Sequence, residues 1–342
     1  GGASNTVGIV FGGSNAPGFT TPTFITSTEE FTEPPATQAK LREGMVFLSG
    51  GTTLKGFGKA AGIPSATWSS GGSLNTARRN LTGSGSIPAG LAFGGESPPS
   101  TVQGATEKYN GTSWTEVNDM NTARKLLAGC GTQAASLAIA GLTGTNVANV
   151  ESWDGTSWTE VNDVNTARQQ GRGEGVSPSA LFFGGETSTA VGNTESWDGT
   201  SWTEVSDLNT ARYSRAGAGN SNTSALAFGG GPPATADTET WDGTSWTEVN
   251  NLNTARYQLS GAGLQTIALA YTGYTTTDVT NTESWNGTSW SEVNEMATGR
   301  RLAADGGQSV GAFCAGGFAG TTFSGATEEF EADATLSTVT VS

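Results

Sequence analysis

One segment of 18 residues, ESWDGTSWTEVSDLNTAR at positions 195–212, recurs along the chain and constrains its fold more than any other feature. Near-copies begin at Glu107, Glu151, Glu239 and Glu283, and a degenerate copy surrounds Trp68. The second Trp of each copy falls at positions 68, 114, 158, 202, 246 and 290, so successive copies are 46 or 44 residues apart. A fixed period of this length predicts stacked or radially arranged units of supersecondary structure.

Each copy contains a β-hairpin signal. Asp198-Gly199 separates two runs rich in Trp, Thr and Val, and this dipeptide favours a two-residue type I′ turn because it tolerates positive φ angles. Such a turn would pair Trp197 with Thr200. It would also place Trp197 and Trp202 on one face as diagonal neighbours with their rings in contact. All ten Trp occupy these two repeat positions, so we expect them to be core residues rather than a sugar-binding platform.

The rest of each period has a constant order. An Arg that closes an NTAR or ATGR sequence is followed by a strand of small residues, and then by an apolar strand that ends near Gly. A Glu-x-aromatic strand and a Ser-Trp strand complete the unit, and no stretch has a helical period of useful length. Four short antiparallel strands in about 44 residues form one blade of a β-propeller. The sequence therefore predicts an all-β propeller of four-stranded blades.

In one unit the recurrent residues are Gly184-Gly185 after a hydrophobic strand, then Trp197, Trp202 and the closing Arg212. With this pattern, over roughly residues 41–330, the chain resembles the kelch-repeat family of β-propellers, although Trp stands where that family usually has Tyr. The unit length and the Asn/Asp-Gly turn also resemble kelch-like proteins encoded by marine bacteriophages and their hosts. The second resemblance implies a structural or attachment role in a virion.

The number of blades can be counted from the strand ends near Gly. These ends fall at positions 13, 51, 95, 141, 185, 230, 273 and 317. The count predicts one propeller domain over residues 1–342 with eight blades; seven blades plus an appended N-terminal segment is the alternative. Residues 1–40 form a divergent N-terminal unit, and residues 301–342 form a C-terminal unit that we expect to close the ring, because closure removes exposed sheet edges.

Composition and charge argue against several classes of function. The 16 Lys and Arg against 31 Asp and Glu give a net charge of −15, which argues against a nucleic-acid partner. No apolar run approaches the roughly 20 residues that span a bilayer, so we expect no membrane insertion. The lack of His eliminates the copper-oxidase type of kelch propeller and leaves no zinc ligand set. No Asp-rich loop has calcium spacing. We therefore expect neither metal nor cofactor.

The remaining reactive residues are best interpreted as structural. The closing Arg and the Glu before the first Trp occur once per unit, and a buried charge must be paired. We therefore expect a ladder of Arg–Glu or Arg–backbone contacts rather than a catalytic set. Cys130 and Cys314 would lie on opposite sides of an eight-blade ring, far beyond the roughly 7 Å Cα separation that a disulfide allows. Both are predicted to be free, buried thiols.

An enzymatic function has weak support in the sequence. The turn at 196–202 superficially resembles the Asp box of sialidases, but Gly199 follows Asp198 directly, and Ser rather than Thr precedes Trp202. A glycoside hydrolase also needs a pair of carboxylates in the central pocket, whose positions this sequence does not give. We expect a non-enzymatic protein and retain a glycoside hydrolase as the third alternative.

The segments that differ between units indicate where binding takes place. The Asx-Gly turn, the Ser-Trp strand and NTAR are almost invariant, whereas the loops after the diglycine all differ. These loops join strands 2 and 3 and emerge on one face, and a rigid scaffold with divergent loops is a common arrangement for recognition; neutral drift in loops is the alternative explanation. The candidate binding residues in these loops are Ser97, Thr101, Thr145, Asn146, Thr187, Thr189, Thr235, Tyr274 and Thr276.

The resemblance to phage-encoded kelch-like proteins implies one expected role. The protein is predicted to be a non-enzymatic structural or attachment component of an extracellular assembly, specifically a phage virion protein of the fibre, tail or neck. Its partners would be other proteins of the same assembly or a host surface glycan, and its location the virion or the extracellular space. A carbohydrate-binding adhesin is the second alternative.

Overall fold

The computed structural model describes residues 66–332 continuously and five further strands, which are Val7–Val10, Glu29–Thr32, Val46–Ser49, Thr53–Lys59 and Ala334–Thr338. The chain divides into two compact units: Ala66–Glu331, and Gly1–Ser65 with Ala332–Ser342. In the second of these, Val7–Val10 pairs with Glu29–Thr32, and Thr53–Lys59 lies between Val46–Ser49 and Ala334–Thr338 in a three-stranded sheet.

The unit Ala66–Glu331 is an all-β propeller of four-stranded antiparallel blades. In each blade below, the strands are given from the ring axis outwards. Blade 1 consists of Thr82–Ser86, Ala89–Phe93, Thr106–Tyr109 and Trp114–Val117; blade 2 of Ala128–Thr132, Ala135–Leu142, Asn146–Trp153 and Trp158–Val161; and blade 3 of Arg172–Val176, Ser179–Glu186, Ala190–Trp197 and Trp202–Val205. Blade 4 consists of Ala216–Ser221, Ser224–Phe228, Thr238–Trp241 and Trp246–Val249; blade 5 of Ser260–Leu264, Ile267–Tyr271, Thr282–Trp285 and Trp290–Glu292; and blade 6 of Ala304–Gly306, Ala312–Ala315, Thr327–Ala332 and Ala66–Gly71.

Two small hairpins are formed in the loops between strands 2 and 3. Glu96–Ser97 pairs with Thr101–Val102 in blade 1, and Phe318–Ala319 pairs with Thr322–Phe323 in blade 6. No helix in the described part of the chain is long and apolar enough to cross a bilayer.

The ring closes with six blades, and the prediction of eight or seven is wrong. The first strands of neighbouring blades contact one another around the axis, including those of blades 6 and 1. Ala66–Gly71 supplies the outermost strand of blade 6, so the ring begins at Ala66. The two surplus Gly positions, 13 and 51, are themselves outside the described residues. The strands that precede them, Val7–Val10 and Val46–Ser49, belong to sheets separate from the six blades.

A narrow axis explains why the first strands are rich in Gly. A Cβ atom on Gly83 would lie 2.5 Å from the carbonyl oxygen of Asp305 in the adjacent blade. On Gly261 it would lie 2.7 Å from the carbonyl oxygen of Gly217. Both distances are shorter than real Cβ contacts, so these strands approach one another as closely as they do only because the side chain is absent.

A closed ring of backbone hydrogen bonds joins the six connections between blades. One residue per connection has φ between 55° and 58°, and its N–H donates to the carbonyl oxygen of the equivalent residue one blade back, over 2.6 to 3.3 Å. The six residues are Asn80, Leu126, Gln170, Ser214, Gln258 and Leu302. Because only backbone groups take part, this ring holds neighbouring blades together whatever side chain each position carries.

The hairpin register differs from the sequence prediction. Trp197 lies directly opposite Trp202, and the loop contains four residues rather than two. Asp198 Oδ1 accepts the N–H groups of Thr200 and Ser201, each at 2.8 Å. Because the Asp side chain closes the turn, positive φ is needed only at Gly199, where φ is 96°. The predicted type I′ turn is wrong, whereas the predicted ring contact is confirmed with centroids 5.2 Å apart.

The interpretation of Trp as core residues is confirmed for nine of the ten, which are at most 6 % exposed; Trp68 is half-buried. The second Trp of a blade donates its indole N–H to a Thr on the third strand of the preceding blade. Trp158 Nε1, for example, lies 3.0 Å from Thr106 Oγ1. For Trp202, the position that corresponds to Thr106 is occupied by Val150. Because Val has no acceptor, Trp202 Nε1 has no hydrogen-bond partner among the described residues.

The predicted Arg–Glu ladder is also confirmed. Each blade holds one buried ion pair between the Arg that closes the preceding repeat and the Glu of its own third strand. The pairs are Arg78–Glu107, Arg124–Glu151, Arg168–Glu195, Arg212–Glu239, Arg256–Glu283 and Arg300–Glu328. The Asn of NTAR adds to each pair in blades 1 to 5: Asn165, for example, donates its N–H and Nδ2 to Glu195 Oε2 and Nδ2 to the carbonyl of Trp202.

The two thiols are free and buried, as predicted. Cys130 lies on the first strand of blade 2 and Cys314 on the second strand of blade 6. In a six-blade ring these blades are two apart rather than opposite, so the geometric reason given for their separation was wrong. Burial raises the pKa of both thiols well above its usual value, which makes them unreactive.

Candidate functional site

The loops between strands 2 and 3 lie at one end of the ring, beside the connections between blades. Isolated bridges link the two sets, for example Arg79 with Glu96 and Tyr257 with Tyr274. We call this end the loop face. The opposite end carries the turns between strands 1 and 2 and the Asx-Gly turns, and we call it the turn face.

All nine candidate binding residues lie on the loop face, spread over blades 1 to 5, and Asn146 among them begins the third strand of blade 2. Thr101, Thr145, Thr189 and Thr276 are exposed; Asn146, Thr187, Thr235 and Tyr274 are half-buried; and Ser97 is buried. The structure brings Asn146 and Thr187 together, because Asn146 Nδ2 donates to the Thr187 carbonyl at 2.9 Å. Ser97 and Thr101 also lie opposite each other in the small hairpin of blade 1. The remaining five do not converge on one site.

A row of alternating aromatic rings and guanidinium groups crosses the loop face from blade 5 to blade 1. The rings of Tyr257 and Tyr274 have centroids 5.5 Å apart, and the Arg301 guanidinium lies 4.4 Å from the Tyr274 ring and 5.2 Å from that of Phe318. On the other side of Phe318, the Arg79 guanidinium lies 4.5 Å from its ring and 4.7 Å from that of Phe323. We call these six residues the stacked row. Each is half-buried.

Ion pairs fix both arginines of the stacked row. Glu96, which is 1 % exposed, accepts Arg79 Nε at 2.8 Å and Lys125 Nζ at 2.6 Å. Burial alone would raise the pKa of Glu96, but the hydrogen bonds from Lys125 and Arg79 outweigh it and hold the pKa below its usual value. At the other end, Arg301 pairs with Asp278. The row is therefore fixed in position before any partner binds.

A shallow groove lies beside the row, between the loops of blades 5 and 6. Its volume is about 510 Å³, and it is lined by residues 277–281, Gly299 and Gly320. The lining offers the hydroxyl of Thr277, whereas the hydroxyl of Thr280 already donates to Glu295 Oε2 at 2.6 Å. Asp278 Oδ2 is engaged by the N–H of Gly320 at 2.7 Å. A hydroxyl group next to an aromatic ring can hydrogen-bond and stack against a polyhydroxylated ligand.

The ring axis holds a second candidate site, which the sequence analysis missed. A cavity of about 350 Å³ opens towards the turn face and is lined by first-strand residues of all the blades. At its base, Arg172 of blade 3 donates through Nη1 to both carboxylate oxygens of Asp305 in blade 6, each at 2.8 Å. Arg172 Nε also donates to Glu174 Oε1 at 2.7 Å. Burial raises the pKa of Glu174 to about 7, although Arg172 opposes this shift.

The signal for this cluster was present as a departure from the repeat. First strands of the other blades begin with a small residue, Gly, a small residue and Gly, as in AGCG at 128–131 and AGAG at 216–219. Blade 3 instead has RGEG at 172–175, and blade 6 has ADGG at 304–307. Comparison of units at this position would have singled out three charged residues that face the axis.

In the axial cluster, which consists of Arg172, Glu174 and Asp305, the carboxylate of Asp305 is saturated by its contacts. Asp305 Oδ2 accepts the N–H of Gly261 at 2.8 Å in addition to the Arg172 bond, so both of its oxygens are engaged. Over the described ranges, no group of three or more Cys, Asp or Glu side chains is arranged to hold a metal ion.

Comparison with known proteins found no relatives. No protein-family model matches the chain, and no match was found among curated proteins.

Proposed function

We propose that this protein is a non-enzymatic structural or attachment component of an extracellular assembly, namely a phage virion, and that it contacts its partners through the loop face. The resemblance of its repeats to phage-encoded kelch-like proteins supports the assembly. The stacked row supports the surface. Aromatic and Arg side chains most often dominate interface energy. The stacked row places four aromatic rings and two Arg side chains next to one another.

The rigidity of the row strengthens this proposal. Side chains that are already fixed lose little conformational entropy when a partner binds, and each guanidinium of the row is held by a carboxylate and at least one ring. The turn face offers nearly the same Asx-Gly turn in five blades. Recognition of a single partner depends on contacts that competing surfaces lack, and the loop face, which differs at every blade, provides them.

A carbohydrate-binding adhesin is the second candidate, and the groove between blades 5 and 6 favours it. Thr277 offers a hydroxyl along its wall, and Tyr274 lies in the stacked row beside it. A glycoside hydrolase would use the carboxylates of Glu174 and Asp305. That role fits less well, because both are bound to the same Arg172 guanidinium.

Chemical cross-linking of the native assembly tests which face makes the contacts. The propeller unit has two Lys on opposite ends: Lys125 pairs with Glu96 on the loop face, and Lys108 donates to the carbonyl of Gly155 in an Asx-Gly turn. We expect an amine-reactive cross-linker to join Lys125 to a neighbouring protein in purified particles and to leave Lys108 without such links. Links from Lys108 alone would contradict the proposed surface.

A substitution separates the attachment role from the adhesin role. Tyr274→Ser removes a ring of the stacked row, and Thr244→Ala is the matched control because it is exposed on the turn face. For a virion component, the Tyr274 variant should be incorporated at lower stoichiometry than the control. For an adhesin, the isolated Tyr274→Ser protein should instead lose binding to a glycan array.

A further inference from the structure

One carboxylate oxygen of the axial cluster has no hydrogen-bond partner among the described residues. Arg172 donates through Nε to Glu174 Oε1 and through Nη1 to both oxygens of Asp305. Its Nη2 lies 3.5 Å from the carbonyl oxygen of Gly217 and 3.2 Å from that of Gly261. The guanidinium and the carboxylate of Asp305 are thus fully engaged, whereas Glu174 Oε2 accepts no bond from the described part of the chain.

This oxygen opens into the cavity on the ring axis. Glu174 is only 7 % exposed, and it is one of the residues that line the cavity of about 350 Å³. Oε2 is not one of the fully enclosed polar atoms that lack a partner, so it keeps accessible surface. A buried carboxylate therefore presents one free acceptor to a space that a ligand can enter.

The wall of the cavity has one surplus negative charge when Glu174 is ionised. Its charged residues are Arg172, Glu174 and Asp305, so one guanidinium offsets one of two carboxylates. The thiol of Cys130, which also lines the cavity, is uncharged because burial raises its pKa. Burial raises the pKa of Glu174 to about 7, so at neutral pH a proton supplies the missing positive charge in about half of the molecules. A ligand with a single positive charge can take the place of that proton.

The size and lining of the cavity favour a primary ammonium group on a short hydrocarbon chain. Its volume of about 350 Å³ is roughly ten times that of a water molecule in the liquid, which leaves room for more than a bare ion. Small apolar side chains in the wall can contact a hydrocarbon chain; they are Ala89, Ala134, Val176 and Ala262. Quaternary ammonium groups are recognised by aromatic rings, and no aromatic side chain is among the described residues of this wall.

Backbone carbonyl groups provide acceptors beside Glu174. The first strand of each blade pairs with the second strand on one side only, so its other edge presents backbone groups to the axis. Arg172 contacts two carbonyls of this kind, those of Gly217 and Gly261. Gly129 and Gly173 occupy the same position in blades 2 and 3 and line the cavity. A primary ammonium group has three N–H donors, so it can bind a carboxylate oxygen and carbonyl oxygens together.

We propose that the axial cavity binds a primary alkylammonium ion, whose ammonium group is held by Glu174 Oε2 and by backbone carbonyls of the innermost strands. The hydrocarbon chain would contact the Ala and Val side chains of the wall, and the ligand would enter from the turn face. A free amine and a Lys side chain of a partner protein share this chemistry. The inference is independent of the proposed function of the loop face.

Titration of the protein with n-butylammonium chloride at pH 8, followed by the nuclear magnetic resonance signals of the ligand, tests the proposal. We expect saturable binding at one site per chain. Butyltrimethylammonium chloride has the same charge but no N–H donor, and it should not bind this site. Binding of Nα-acetyl-lysine methylamide as well would identify a partner's Lys as a possible source of the ligand, and binding of n-butylammonium alone would identify a free amine.

Two variants show whether Glu174 is responsible. Glu174→Gln removes the charge but keeps the shape and an acceptor for Arg172, and it should abolish binding; a circular dichroism spectrum matching the wild type verifies that it folds. Glu116→Gln removes an exposed carboxylate from the outermost strand of blade 1 and should bind as the wild type does.

The pH dependence separates this site from general attraction to an acidic surface. At pH 5 about one molecule in a hundred has Glu174 ionised, so the dissociation constant should be about a hundredfold higher than at pH 8. Exposed carboxylates are still ionised at pH 5, and attraction to them would change little. Equal affinity for the two butylammonium ions, or wild-type affinity in Glu174→Gln, would overturn the proposal.

Discussion

Arg172 and Asp305 meet across the axis of the ring, from blades that are opposite each other, with one guanidinium nitrogen 2.8 Å from both carboxylate oxygens. Arg172 also donates to the carbonyls of Gly261 at 3.2 Å and of Gly217 at 3.5 Å. A single side chain therefore links four of the six blades through their innermost strands.

Removal of one partner of this pair should be strongly destabilising. Asp305→Gly leaves Arg172 buried beside Glu174 alone, and we expect a loss of about 3–5 kcal/mol in the free energy of unfolding, as for other broken buried pairs. The triple variant Arg172→Ala, Glu174→Ala, Asp305→Gly restores the small-Gly-small-Gly pattern of blade 4 and should recover most of that loss. Urea unfolding measures both. If the loss in the free energy of unfolding of the triple variant equals the sum of the losses in the three single variants, the cluster is not a coupled unit.

Val150→Thr should stabilise the protein, because it supplies the acceptor that Trp202 Nε1 lacks. Thr already fills this role in the other blades, for example Thr194 for Trp246 at 3.1 Å. We expect a gain of about 1 kcal/mol, the usual net value of one hydrogen bond. The reverse change, Thr194→Val, is the matched control and should cost about 1–3 kcal/mol, because it leaves a buried donor unpaired. A neutral result for both would show that water reaches these indoles.

The stability of the protein should depend on the protonation of Glu174. Its pKa is raised to about 7 in the folded protein from a usual 4.5, so the folded state binds the proton more tightly than the unfolded state does. Stability from this group is complete below pH 4.5 and is lost as the pH rises through 7, by roughly 3 kcal/mol in all. Urea unfolding at pH 5 and pH 8 measures this fall in the free energy of unfolding, and we expect a smaller fall in Glu174→Gln than in the wild type. A fall of the same size in both proteins would show that other groups cause it.

Replacement of a buried Trp should cost far more than replacement of the half-buried one. Trp158→Ala is expected to lower the free energy of unfolding by about 3–5 kcal/mol, as for other large-to-small changes in a core, and Trp202→Ala and Trp246→Ala should cost similar amounts in their near-identical units. Trp68 contacts Tyr271 and Phe330, with centroids 4.9 and 5.2 Å away, but it is half-buried, so Trp68→Ala should cost less. An unfolding midpoint unaffected by any of these changes would mean that the rings are solvent-exposed.

Features that recur in every unit were predictable from the sequence. Strand order, the buried Trp pairs and the Arg–Glu ladder all depend on contacts within a blade or between a blade and its neighbour, and such contacts leave the same residues at the same spacing in each copy. The turn at Asp198 was assigned the wrong register, because the Asx-Gly signal does not distinguish a two-residue turn from one closed by the Asp side chain.

Features that depend on the whole ring were not predictable in the same way. The number of blades depends on how closely the first strands of neighbouring blades approach each other, as at Gly83 and Asp305. It also depends on the pairing of Ala66–Gly71 with a strand more than 250 residues later in the chain. A repeat period is the same for any number of blades. The axial cluster departs from the repeat, so analysis of what the units share could not find it.

The pairing of Ala66–Gly71 with Thr327–Ala332 also has a consequence for synthesis of the chain. A ribosome adds roughly 5–20 residues per second, so the earlier strand emerges some ten to fifty seconds before its partner exists. During that interval it is an unpaired edge, which is where chains associate wrongly. Its sequence, ATWSSG, has one large apolar side chain and ends in small polar residues. A segment that waits this long for its neighbour is therefore poorly suited to pairing with another nascent chain.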